Sequence, residues 1–288
     1  MRLALGSAQF GMPYGVANTG GQVSLARVKK ILAYSQEVNI NVIDTAVGYG
    51  NSEETLGQIG VNGFNIITKI PRVPEEVDDI DTWMRKEIGG SIFRLGVDKV
   101  YGLMLHRPDQ LLGPCGEKIL QSLINLRSEG IVEKIGVSVY SYKEFEKLFD
   151  LFNFDIVQCP SNLVDRGLVT SGWLSKLKMS EVEVHSRSSF LQGLLIMSRG
   201  TIPDKFQEWN SLWSKWHDWL DDQAKSPLEA CMSYVLSFPE IDRVIVGVDS
   251  KLQLEQIVGV TVSSDICSFP LICSENTNLI NPANWCRL

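Results

Sequence analysis

Short apolar runs alternate along the chain with longer stretches in which apolar residues recur every three or four positions. Leu3-Ala4-Leu5-Gly6-Ser7, Ile40-Asn41-Val42-Ile43 and Val100-Tyr101-Gly102-Leu103-Met104-Leu105 are rich in β-branched or bulky residues and bounded by turn formers, which is how a strand buried on both faces reads. The same reading predicts strands at 64–68, 131–139, 154–159, 182–185 and 244–248. Between them the period lengthens. Leu25, Val28, Ile31 and Leu32 fall on one helical face behind a Ser24 cap, and helices are expected at 52–59, 82–95, 116–128, 143–152, 172–179, 228–238 and 252–258. Units in this order predict an α/β fold: a parallel, eight-stranded (β/α)8 TIM barrel forming a single domain over residues 1–288, in preference to a doubly wound sheet. A polar, Asn-rich tail is expected from about 265 to 288.

Composition narrows the class. A chain of 288 residues with 44% hydrophobic content can bury a full core. No apolar run approaches the roughly 18 residues that span a bilayer, and the amino terminus lacks a basic segment followed by a long apolar stretch and a cleavage site. A cytoplasmic protein without a membrane partner is therefore expected. The net charge of -7, with no face lined by Lys or Arg, argues against nucleic acid as a partner. Cys115, Cys159, Cys231, Cys267, Cys273 and Cys286 are scattered without a C-x-x-C pair, so reduced and mostly buried thiols are expected, with no metal cluster and no disulfide framework. The pattern carries no signal of an oligomeric state.

Four polar residues stand out against the apolar runs. Asp44 ends the second run, Lys69 the third and His106 the fourth, and Tyr49 follows shortly after Asp44. In a closed parallel barrel these strand ends surround one pocket, where such barrels carry out chemistry. A tyrosine with an ordinary pKa of about 10 is a poor proton donor or acceptor at neutral pH, and an adjacent ammonium lowers that pKa. Lys69 is the expected ammonium, Asp44 the carboxylate that keeps it protonated and oriented, and His106 the group that orients a carbonyl oxygen or joins the proton relay. Such a set protonates an alkoxide as hydride reaches the carbonyl carbon, and runs in reverse for alcohol oxidation. Taken singly, each residue has a plainer role: a helix cap for Asp44, packing for Tyr49, a solvated surface for Lys69, a satisfied core histidine for His106. Their joint placement at three strand ends favours the shared site.

Ile43-Asp44-Thr45-Ala46-Val47-Gly48-Tyr49-Gly50-Asn51-Ser52-Glu53, Ile67-Thr68-Lys69 and Leu105-His106-Arg107-Pro108 resemble the aspartate and tyrosine, lysine and histidine segments of the aldo-keto reductase family. The resemblance continues through Ile135-Gly136-Val137-Ser138, Val157-Gln158-Cys159-Pro160-Ser161-Asn162, Phe190-Leu191-Gln192-Gly193-Leu194-Leu195 and Val244-Ile245-Val246-Gly247. It implies a (β/α)8 barrel, an NAD(P)H cofactor across the strand ends and reversible reduction of a small-molecule carbonyl substrate. Tyr49 is then the general acid/base, Lys69 and Asp44 its tuning partners, and His106 the substrate orienter.

The resemblance carries cofactor residues over less evenly. Ser138 and Gln158 match the partners of the nicotinamide carboxamide, whereas Val139 stands where relatives have Asn. Arg187 takes the place of an aromatic residue that often stacks on nicotinamide, a role an arginine plane can also fill, and Ser186 and Ser188 flank it. Leu191, Gln192 and Gly193 lie where the family's loop touches pyrophosphate through backbone amides. Gly247, Asp249, Lys251, Gln253 and Gln256 fall in the adenosine-phosphate segment, at the amide-rich start of a helix that favours an anion. NADP(H) is the family expectation. Asp249 stands where relatives often carry a serine toward the 2′-phosphate, and a carboxylate repels phosphate unless a cation such as Lys251 intervenes, so NAD(H) is the alternative. As a helix cap, Asp249 would touch no cofactor.

Trp209, Trp213, Trp216 and Trp219 fall along one helical face and are expected to pack on the barrel rather than to form a sugar-binding platform. Trp285 in the tail is a candidate for the pocket wall or for plain surface docking. The stretch from Gln9 to Tyr14 and the segment 198–226 are expected to line the pocket, with Phe10, Tyr14 and the tryptophans as an apolar wall and His106, Arg107 and Asn162 as polar contacts. That combination suits a hydroxylated carbonyl such as a keto sugar. Two rival functions stay open: a Schiff-base aldolase using Lys69, and a regulatory module that binds cofactor with little turnover. The aldolase leaves Asp44, Tyr49 and the Gln192-Gly193 loop without a role.

Overall fold

The computed structural model describes residues 1–261 and 268–288. Its strands close on themselves in chain order, all parallel: β1 Leu3–Gly6, β2 Val42–Asp44, β3 Asn65–Ile70, β4 Val100–Leu105, β5 Val132–Ser138, β6 Ile156–Pro160, β7 Glu183–Arg187 and β8 Arg243–Gly247. Leu5 of β1 pairs with Ile43 of β2 on one side and Val246 of β8 on the other, which seals the ring. The helices are α1 Ala8–Gly11, α2 Leu25–Glu37, α3 Ser52–Ile59, α4 Ile80–Leu95, α5 Gly116–Ser128, α6 Tyr142–Leu148, α7 Gly167–Thr170, α8 Trp173–Met179, α9 Asn210–Gln223, α10 Pro227–Leu236, α11 Lys251–Val260 and α12 Thr277–Ile280. The predicted (β/α)8 barrel is the observed fold. No helix among the described residues is long and apolar enough to cross a membrane.

The apolar side chains form two layers. Ala4, Val42, Ile67, Met104, Ile156 and Ile245 fill the inside of the ring, and a larger cluster lies between the strands and the helices. Because a strand alternates faces, each inner residue fixes the phase of the position two further on. Val42 thus sends Asp44 inward, Ile67 sends Lys69, Met104 sends His106, Ile156 sends Gln158 and Ile245 sends Gly247. Inward residues at the opposite, amino-terminal end form a separate polar cluster. Glu183 Oε1 lies 2.7 Å from His185 Nε2, and Glu183 Oε2 accepts from Tyr101 OH at 2.7 Å and from Lys134 Nζ.

Strand bounds differ from the sequence reading by one or two residues, and one shift matters. β7 runs on to Arg187 instead of ending at His185, so Arg187 is an inward residue at a strand end. The helix expected at 143–152 stops at Leu148, where the amides of Leu151 and Phe152 both turn back onto the Leu148 carbonyl. Ser24 precedes α2 in an extended conformation, but its side chain makes no capping hydrogen bond. The thiols are not mostly buried: Cys159 and Cys231 are, whereas Cys115, Cys273 and Cys286 lie exposed in connections and the tail. Cys267, and the start of the tail near 265, fall outside the described residues. The described part of the tail is ordered around Trp285, which packs edge-on against Phe206 at 4.8 Å and donates to the Leu279 carbonyl. The tryptophan stripe packs as expected: Trp213 and Trp216 are buried and donate to the Phe206 and Leu195 carbonyls.

Candidate active site

The floor of the carboxyl end is a hydrogen-bonded chain drawn from four strands. Lys69 is fully buried, and its Nζ donates to both oxygens of Asp44 at 2.7 Å, to the Thr45 carbonyl at 2.9 Å and to Tyr49 OH at 3.5 Å. Those contacts occupy all three N–H groups of an ammonium. Gln158 Nε2 donates to Asp44 Oδ1 at 2.7 Å, and its Oε1 accepts from Ser138 Oγ at 3.2 Å. Burial draws the Lys69 pKa below the ordinary lysine value, opposed by Asp44.

Tyr49 stands on the turn between β2 and α3, and two features hold that turn. Gly11 at the end of α1 presses so closely that a Cβ there would lie 1.8 Å from the Tyr49 carbonyl. Glu53, buried in the first turn of α3, accepts from Thr68 Oγ1 of β3 at 2.6 Å and from Arg94 of α4 at 2.7 Å. Tyr49 OH therefore faces Lys69 by construction. Burial raises the Tyr49 pKa and Asp44 raises it further, with Arg187 opposing. Burial outweighs the lowering expected from Lys69, whose ammonium is itself held by Asp44. Tyr49 is a neutral phenol, the state a proton donor needs.

His106 meets the Tyr49 ring edge-on at 5.8 Å. Burial, followed by Lys69, Arg187 and Arg107, pushes its pKa down to about 3, so the imidazole is neutral at neutral pH.

Above this floor lies a cavity of about 970 Å³. Asp44, Tyr49, His106, Ser138 and Arg187 line one end, and Gly247, Asp249, Gln253 and Gln256 line the other. Ser188, Gln192 and Gly193 border the space between. Lys69 and Gln158 belong to the floor and do not line it, while Leu191 is core and Ser186 is buried outside it. Leu191, Gln192 and Gly193 have φ of 47°, 52° and 94°. Left-handed backbone at two non-glycine residues is strained, and such strain clusters at ligand sites. The segment from Tyr14 to Ala17 arches against this turn: Val16 N donates to the Gln192 carbonyl at 3.0 Å and Gln192 Nε2 to Tyr14 OH at 3.2 Å.

Asp249 is not a helix cap. Ser250 caps α11, accepting from Gln253 N, while Asp249 Oδ1 accepts weakly from Asn18 Nδ2 at 3.4 Å. Lys251 points elsewhere, to Glu255 at 3.3 Å and over the Tyr34 ring, so it does not intervene between Asp249 and a phosphate. Phe10 is core, Asn162 supports the site from outside by donating to the Ser188 carbonyl, and Arg107 is exposed off the lining. Of the segment 198–226 only Ser226 reaches the cavity, because its tryptophans face the barrel; from the tail it is Pro282 and Ala283 that do so, not Trp285. Sequence reasoning missed Asn18, Tyr140 and Ser189. Only Tyr140 left a signal, two positions beyond the inward Ser138.

Residues 2–266 match the Aldo/keto reductase family. The chain belongs to that family. It is 24% identical over 291 residues to the oxidoreductase sirO of Leptosphaeria maculans, covering 89% of this chain and 87% of that protein. It is 26% identical over 235 residues to the NADH-specific methylglyoxal reductase of Escherichia coli K12, covering 70% and 69% of the two. Its fold matches the holo form of an aldo-keto reductase from Bacillus halodurans with a TM-score of 0.72 at 18% identity, over 92% of this chain and 88% of that one. As an aldo/keto reductase, the protein is an oxidoreductase.

Proposed function

We propose that this aldo/keto reductase reduces a small aldehyde or ketone to the alcohol with a nicotinamide cofactor, that Tyr49 delivers the proton, and that NAD(H) is preferred to NADP(H). One observation carries the reading: a neutral phenol opens on the cavity while its oxygen rests on a buried ammonium fixed by a carboxylate. The cofactor, when bound, supplies the hydride. Tyr49 OH gives its proton to the oxygen of the forming alkoxide, and the Lys69 N–H beside it stabilises the phenolate that is left. The neutral His106 imidazole donates a hydrogen bond that aims the carbonyl oxygen.

The residues present fit such a cofactor. Ser189 lines the cavity with a buried hydroxyl that has no hydrogen-bond partner, a group suited to a ligand amide, and Ser138, held from the floor by Gln158, lines it as a second polar group. At the far end Asp249, which Lys251 does not reach and whose charge Arg27 opposes only in part, accepts from ribose hydroxyls and repels a 2′-phosphate. The NADH specificity of the Escherichia coli relative supports the same preference. The aldolase is disfavoured because Lys69 has no free N–H and is absent from the cavity wall.

The test is turnover of methylglyoxal with NADH and with NADPH, alongside nucleotide binding by fluorescence. Tyr49→Phe should lower kcat by about 10²-fold or more with little change in nucleotide Kd. Turnover near wild type in that variant refutes the role of Tyr49, and a wild type that binds nucleotide without turnover favours the regulatory module.

A further inference from the structure

Arg187 brings a cation into the substrate end of the cavity with no anion to meet it. Its Nη2 donates to the Val139 carbonyl at 2.9 Å and its Nη1 to Ser188 Oγ at 3.2 Å, and the guanidinium lies over the Tyr140 ring at 4.8 Å. Two of five N–H groups are thereby used, and one face of the plane is covered. Arg107, exposed off the cavity lining, lies over the same ring at 5.4 Å. Neither arginine has a carboxylate within ion-pair distance among the described residues. The acids nearby are committed elsewhere: Asp44 to Lys69, Asp165 to the Gly167 amide, and Glu144 to the Tyr140 amide at 3.1 Å. The Arg187 charge is felt across the site by Tyr14, Tyr49 and His106 and by the carboxyls of Glu144 and Asp165, neither of which pairs with it directly. In a chain of net charge -7, a half-buried guanidinium without a direct ion-pair partner is costly unless a ligand supplies one.

We infer that Arg187 selects a carbonyl substrate that also carries a carboxylate. The remaining edge N–H groups of Arg187 suit a planar oxyanion, which a guanidinium binds through two parallel hydrogen bonds. Tyr140 covers one face of the plane, and a nicotinamide ring on the other face would leave those edge N–H groups to the substrate. The inference rests on the reductase reading for its substrate to be a carbonyl, and it replaces a keto sugar with an oxo acid.

Two measurements separate the inference from that reading. The first is NADH-dependent reduction of 4-oxobutanoate against 4-oxobutanamide, and of pyruvate against pyruvamide, pairs that differ in charge at nearly equal size. Wild type should prefer the acid of at least one pair in kcat/KM by about tenfold or more, chiefly through KM. Arg187→Met should collapse that ratio toward unity, and Arg187→Lys, which keeps the charge, should retain part of it. The second is calorimetric titration of the product pairs, 4-hydroxybutanoate with 4-hydroxybutanamide and lactate with lactamide, onto the NADH-loaded protein, which needs no turnover. Acid-selective binding lost in Arg187→Met supports the inference even if no substrate turns over, an outcome that would count against the reductase reading alone. Equal binding of acid and amide in both pairs overturns the inference. So does an Arg187→Met variant that weakens NADH binding and leaves the acid-to-amide ratio unchanged, since that is the behaviour of a cofactor contact.

Discussion

At the scale of single residues, burial decides which protons this protein holds. Asp165, in the turn after β6, has its carboxyl pushed up to about 6 from 3.8 by burial, against a hydrogen bond from the Gly167 amide and the field of Arg187. Between those values the folded chain keeps a proton that the unfolded chain has released, so the contribution is favourable in acid and is lost as pH rises through about 6. Asp165→Asn keeps an acceptor for the Gly167 amide and removes the charge. It should stabilise the fold near neutral pH by on the order of 1–3 kcal/mol, with the gain vanishing below about pH 4. Urea unfolding of both proteins across that range reads the difference, and a gain that persists in acid would contradict the titration. His106 has the opposite sign: held at about 3 when folded, it stays neutral where the unfolded imidazole takes up a proton, so stability rises with pH through that window. Each pH therefore requires its own comparison with wild type.

At the scale of elements, a cap and its neighbour divide two jobs. Ser250 accepts from Gln253 N and starts α11, leaving Asp249 to face the cavity. Asp249→Ser removes the charge without disturbing the cap. It should improve NADPH affinity relative to NADH by on the order of tenfold, about 1.4 kcal/mol, with stability changed by no more than a few tenths of a kcal/mol. Titration of both nucleotides against both proteins checks this, and an unchanged ratio removes the repulsion argument. The strand ends were legible from Asp44, Lys69 and His106 because each closes an apolar run. The roles of Ser250 and Asp249 were not, since both residue types start helices equally well and only the side-chain direction separates them.

At the scale of the molecule, the barrel carries two polar ends with an apolar layer between them, and only one end opens on the large cavity. At the amino-terminal end burial alone would push the Glu183 carboxyl up, but the His185 and Lys134 contacts outweigh it and hold the group below the usual carboxylate range. Parallel barrels place stability at this end and chemistry at the other. Glu183→Gln should therefore destabilise the fold by about 1–3 kcal/mol, less than a fully buried pair would lose because Lys134 is partly exposed, while kcat and KM per folded molecule stay at wild type. Thermal unfolding and steady-state kinetics on one preparation test both halves, and an altered KM would mean the two ends are coupled.

The sequence by itself determined the barrel, the order of its strands and the placement of Asp44, Tyr49, Lys69 and His106 at its carboxyl end, because the period of apolar positions fixes element type and strand phase fixes which side chains point inward. The tertiary structure decided what those residues are. Burial, with Asp44 beside it, raises the Tyr49 pKa rather than lowering it, and Arg187 faces the cavity because β7 runs two residues further than its apolar run. Charge balance and burial are sums over groups far apart in the chain: Ser138, Gln158, Asp44 and Lys69 meet only once the ring has closed, so no local pattern could report their outcome.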